Sequence, residues 1–86
     1  MKEIKHNLAV GTPVSWGPVV YRTDDRGATR AMRASTGIVE AIGLSRATVA
    51  GDDGARHDVI ASKLHRMDPE VRDALIARGL IKSVSP

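Results

Sequence analysis

No cysteine occurs among the 86 residues of this chain, so neither disulfides nor a thiolate-held metal can staple it. A chain this short buries only a modest share of its surface when it folds. Its stability has to come from a compact closed sheet, from a partner subunit, or from both. Length points to a single domain over residues 1–86. The opening run 1-MKEIKHNLAV-10 is charged and has no apolar stretch long enough for a signal peptide, and no membrane span follows. A soluble, cytoplasmic protein without a membrane partner is the expectation.

The turn signals divide the chain into short strands. Residues 12-TPVSW-16 alternate apolar and polar, and 36-TGIVEAIG-43 makes a second strand bounded by glycines. The runs 46-RATVAG-51 and 55-ARHDVIA-61 flank 52-DDG-54, where Gly54 can take the positive φ of a hairpin bulge. A three-residue loop there pairs Ala47 with Val59 and Val49 with His57, leaving Arg56 and Asp58 outward; a one-residue slip would exchange the faces. A single helical turn at 61-ASKL-64 and a last strand near 64-LHRM-67 follow. In 68-DPEVRDALIARGL-80, Asp68 suits an N-cap, Pro69 the first helical position and Gly79 a left-handed stop, which predicts a helix over 69–79. Val71, Ala74 and Leu75 form its apolar stripe, with Arg72 and Asp73 facing solvent. Residues 82–86 are expected to fray.

The densest basic run, Arg22, Arg26, Arg30 and Arg33, admits two readings. The spacing of Arg26, Arg30 and Arg33 matches one helix face, but a helix must pass through Gly27 and Thr29 and strands 19-VVY-21. A hairpin uses every residue: arms 18–23 and 28–33 around the four-residue turn 24-DDRG-27. We favour the hairpin. It sets Tyr21 opposite Arg30, Val19 opposite Met32, and Arg22 beside Thr29.

The series 12-TPVSW-16, 37-GIVEAI-42 and 59-VIASKLHRM-67 resembles bacterial Tudor-like and KOW-like members of the SH3-like small β-barrels over about residues 10–67. The resemblance implies a mainly β fold, an SH3-like barrel with a long first-loop hairpin at 17–35 and one added C-terminal α-helix. Such a superfold does not fix function. Plasmid-type dihydrofolate reductases also use this fold, with a Val-Gln-Ile-Tyr strand. Here 57-HDVIASKL-64 lacks both the Gln and the Tyr, which argues against that activity.

The chemistry is narrowed by composition. His6, His57 and His65 lack metal-pair spacing, 52-DDG-54 is explained as a turn, and neighbouring His57 and Asp58 point to opposite faces of a strand. No enzyme, catalytic residue, metal or cofactor is expected. Trp16 and Tyr21 are the only aromatics, too few for a polyproline groove or a methyl-lysine cage, and a weak basis for stacking along a single strand. The cations outnumber the acids 13 to 10 and are mostly arginine, whose planar fork fits phosphate. A non-catalytic module for nucleic acid or a nucleoprotein follows. Arg22, Arg26, Arg30 and Arg33 would make the contact, with Arg56, Lys63 and Arg66 extending it. Against this, Asp24 and Asp25 sit in the middle of the patch and would partly neutralise Arg26 and Arg22. The alternative is a protein-interaction or regulatory protein of phage or plasmid type acting on a host complex. Its interface would be Val71 and Leu75 of the helix, with Trp16 as core or dimer contact; small size makes a homodimer plausible.

Overall fold

The computed structural model describes residues 8–81. The expected fraying of 82–86 and the reading of His6 lie outside the described residues. Five strands form one antiparallel sheet, β1 (Pro13–Thr23), β2 (Thr29–Ile42), β3 (Arg46–Gly51), β4 (Arg56–Ile60) and β5 (His65–Arg66), in the order β4-β3-β2-β1-β5. A 3₁₀ turn, Ala61–Lys63, joins β4 to β5, and helix α1 (Pro69–Ala77) follows. The protein is mainly β with one C-terminal helix. Among the described residues no ladder joins β4 to β5.

The first strand and the hairpin arm after it, expected as separate pieces, are one strand bent at a bulge. Register slips between Trp16, opposite Ser35, and Val19, opposite Arg33. Gly17 takes φ +90° there, and Pro18, which has no N–H to give a ladder, occupies the slack. β2 likewise runs unbroken from the hairpin into the sheet. It can do so because Gly37 has no side chain: a Cβ would collide with the Ala50 carbonyl oxygen and with Val49.

Two small cores result. Val14, Val39, Ala47, Val49 and Leu64 make the first, with Trp16 and Val59 against it. The alternation of β3 explains its share, since Ala47 and Val49 are buried while Arg46 is exposed. The β3–β4 register is the expected one, Ala47 with Val59 and Val49 with His57. Leu75, Leu80 and Ile81 form the second core with Met32, Met67 and Ile76, so α1 lies against the β1–β2 hairpin.

The helix is shorter and turned differently from the expected one. Gly79 (φ +78°) ends it: its N–H reaches the Ile76 carbonyl and the Leu80 N–H reaches Leu75, a Schellman closure sealed by Leu80 packing with Leu75. Asp68 holds the N-cap position without a side-chain capping bond. The expected stripe is corrected on three counts. Val71 and Ala74 are exposed, and Arg72, assigned to solvent, is only 8% exposed. Arg72 turns inward to Asp52 on the β3–β4 turn, where a two-point contact and the Thr36 hydroxyl on the same carboxylate offset the loss of water.

Candidate nucleic-acid interface

The hairpin turn is built by Asp24. Its Oδ1 accepts the N–H of Arg26 and of Ala28, both at 2.9 Å, while its own N–H donates to the Ala28 carbonyl at 2.8 Å. Gly27, at φ +86°, closes a three-residue loop, Asp25–Gly27. The expected turn over Asp24–Gly27 is present, its Gly27 N–H donating to the Asp24 carbonyl at 3.0 Å, but the expected register across it is off by one position. Arg22 lies opposite Arg30, Tyr21 opposite Ala31, Val20 opposite Met32 and Val19 opposite Arg33. The signal was present, because 24-DDRGA-28 repeats the pattern of 51-GDDGA-55, whose loop is built the same way around Gly54.

This register sorts the arginines. Cross-strand pairs share a face and alternate along the ribbon. Arg22 and Arg30 therefore share the side of Val20 and of Met32, which packs with the helix. Tyr21, 76% exposed, and Val19 share the opposite, open side with Arg33 and with the Thr23–Thr29 hydroxyl pair. Arg26 is exposed in the loop, and Arg30 is exposed on its strand.

Four guanidinium groups thus stand outside the ion pairs found among the described residues, although the charge of Arg30 still reaches Asp24. Arg22 donates to the carbonyls of Ala34 (3.1 Å) and Leu80 (3.4 Å), and Arg33 to the carbonyl of Gly17 (3.0 Å). Among the described residues, none of Arg22, Arg26, Arg30 and Arg33 lies within 4.0 Å of a carboxylate. Asp24 and Asp25 form no ion pair with Arg22 or Arg26 among the described residues. Asp24 is buried and pairs with Arg78 at 3.7 Å, its Oδ2 accepting no hydrogen bond. The Asp25 N–H reaches the Arg78 carbonyl, and its carboxylate lies where a Cβ on Gly79 would point. The loop acids are drawn to the end of α1, which docks the hairpin tip there. The Ala28 N–H is the main reason Asp24 titrates below the ordinary carboxylate value; burial opposes it, and the Arg26 N–H and the charges of Arg78 and Arg30 assist.

The remaining candidates are scattered. Arg56 is bound by Glu40 at 2.7 Å, whose hydrogen bond and charge raise its pKa further. Lys63 is exposed in the 3₁₀ turn, and Arg66 sits on β5 opposite Val14. Arg30 and Arg33 line a cleft of about 430 Å³ together with Met67, Val71 and Leu75, so cations and helix residues read as rival interfaces meet there. Leu75 is itself buried in the second core. Trp16 and Arg22 line another cleft, of about 440 Å³, with Asp53 and His57.

Two constellations escaped the sequence reading. Arg72 clasps Asp52 with both ends of its fork, Nη1 to Oδ2 at 2.8 Å and Nη2 to Oδ1 at 2.6 Å, while the Thr36 hydroxyl donates to Oδ2 at 2.6 Å. Burial opposes ionisation of Asp52, and these bonds overcome it, leaving its pKa below the usual value. In the other, the Nε2 of His57 meets the Asp53 carboxylate at 3.0 and 3.2 Å, and its ring stands edge-on to Trp16 at 5.4 Å. Asp58 is not the partner of His57; Asp53, across the turn, is. Neither contact has a sequence signature beyond turn-forming acids. Among the described residues no three His, Asp or Glu side chains gather as a metal site, and no helix is long and apolar enough to cross a membrane. No family model, curated protein or solved structure matches this chain.

Proposed function

We propose that this chain is a non-catalytic binding module for nucleic acid or a nucleoprotein, gripping phosphates through the arginines of its β1–β2 hairpin. The observation that carries the reading is the separation of charge. Arg46, Arg56, Arg72 and Arg78 each have a carboxylate within 4.0 Å, whereas the four hairpin arginines have none among the described residues. Cations held by carbonyls keep their full charge for a polyanion. The open side of the ribbon, with Val19, Tyr21 and Arg33, is of a kind that enters a major groove or lies along a backbone. An SH3-like barrel is the scaffold we infer. The neighbouring of β1 and β5, with the 3₁₀ turn between β4 and β5, supports that strand order.

Anisotropy of a labelled duplex at two salt concentrations tests the reading. Binding should weaken steeply with salt, and Arg26→Ala with Arg30→Ala should flatten the log–log slope by about 2, at roughly 0.9 per phosphate contact. Absence of binding at low salt, or an unchanged slope in the double variant, refutes it. A protein partner seated beside half-exposed Val71 is the second reading, favoured by the cleft that joins α1 to Arg30. It predicts capture that is insensitive to salt and lost in Val71→Asp.

A further inference from the structure

We propose that the cleft between the hairpin base, the β3–β4 turn and residues 79–81 holds one nucleotide unit, its phosphate on Arg22 and its base against Trp16 and His57. This deepens the proposed function and rests on the same expectation of a phosphate-bearing partner. The cleft measures about 440 Å³, within the roughly 300–1,000 Å³ of small-ligand sites. In its lining, Arg22 is fixed by the carbonyls of Ala34 and Leu80, each taking one N–H. Its position is set, its charge is uncancelled, and a planar fork with further donors remains for a phosphate.

Two carboxylates also line the cleft, and each is engaged by partners of its own. Asp52 is answered by both Nη atoms of Arg72 and by Thr36. Asp53 is held by the Ala55 N–H and by His57. It can accept from a base amino group or a sugar hydroxyl. Trp16 and His57, their rings inclined at 61° with centroids 5.4 Å apart, give the cleft an aromatic wall beside it, one ring of which a base can stack on. A chain with two aromatics cannot stack a run of bases, but a single base needs only one such wall. The same chemistry is offered by a free nucleotide and by an end or looped-out unit of a strand.

Trp16 is the sole tryptophan, so its fluorescence reads this cleft directly in the full chain. The titrants are AMP, adenosine, inorganic phosphate and a single-stranded oligoadenylate at one ionic strength. AMP should give a saturable change at least tenfold tighter than adenosine or phosphate alone. Arg22→Gln, which keeps an amide donor for the carbonyls, should remove at least tenfold of the AMP affinity and leave adenosine unaffected. His57→Ala, further from the hairpin packing, should weaken both, with far-UV circular dichroism showing each variant folded. An oligoadenylate tighter than AMP assigns the site to a strand, and the reverse order to a free nucleotide. No response to AMP or oligoadenylate at millimolar concentration overturns the inference. So does a response that phosphate matches, or one indifferent to both variants. Duplex anisotropy separates the two claims: salt-dependent binding through Arg26 and Arg30 without any nucleotide response at Trp16 leaves the hairpin reading standing and this one not. The converse result does the opposite.

Discussion

Arg72 is the residue whose environment departs furthest from what its type suggests. A helix arginine flanked by Glu70, Val71 and Asp73 reads as surface, yet its side chain is 10% exposed and its partner Asp52 13%. Removing the guanidinium leaves a carboxylate out of water with Thr36 alone, so Arg72→Met should cost about 3 kcal/mol, toward the lower end for a broken buried pair. Replacing both partners, Arg72→Met with Asp52→Ala, should cost less than the sum of the single changes, which a urea-denaturation cycle measures. The pH dependence has a definite sign. The folded pKa of Asp52 is lowered from 3.8, so its contribution is complete above about pH 4 and is lost as pH falls through the lowered value. The stability gap between wild type and Arg72→Met should therefore narrow on acidification. A gap independent of pH between 6 and 2 would mean the clasp carries no such weight.

Among the elements, the turns set the geometry. Gly27 and Gly54 occupy matching positions in two three-residue loops, and Gly79 closes α1, all at positive φ. Forcing alanine into that region costs about 1–2 kcal/mol. At Gly27 the added methyl meets nothing within 4 Å, so the cost is conformational alone. At Gly79 it meets the Asp25 carboxylate, so both the helix stop and the docking of the hairpin tip are disturbed. Gly79→Ala should be the more destabilising of the two by urea denaturation, and equal losses would deny the tip a role in stability. The same comparison explains a sequence error. The loop at 52–54 was placed correctly by matching apolar partners across it. The loop at 24–27 offers no such test, because the consecutive Val19, Val20 and Tyr21 put apolar residues on both faces of its first arm and either register finds Met32 an apolar partner.

At the scale of the molecule, two small cores sit on one pair of long strands. The first is built from β1, β2 and β3 with Leu64, and the second joins Met32 of β2 to α1 and the segment after it. The Arg72–Asp52 clasp ties the helix back to the β3–β4 turn. The cores should therefore unfold together. Trp16 fluorescence, reporting the first, and far-UV circular dichroism at the helix band, reporting the second, should give coincident urea transitions. Leu75→Ala, worth about 2–5 kcal/mol, should move both to the same extent. A helix signal lost before the Trp16 signal would show the second core to be an independent unit.

Local chemistry carried much of the architecture. Strand formers between glycine-marked turns placed the sheet segments, and Pro69 and Gly79 bracketed the helix, because backbone preferences act over a few residues. The arginine hairpin was legible for the same reason, since Gly27 and Thr29 speak against a helix wherever they occur. The inward turn of Arg72, the capture of Asp24 by Arg78 and the meeting of Trp16 and Arg22 with His57 in one cleft were not legible. Each depends on a partner far along the chain, and a charged side chain carries no mark of which opposite charge folding will bring to it. Which cations remain unpaired, and so which surface offers itself to an anion, is decided only when the acids have been allotted in three dimensions.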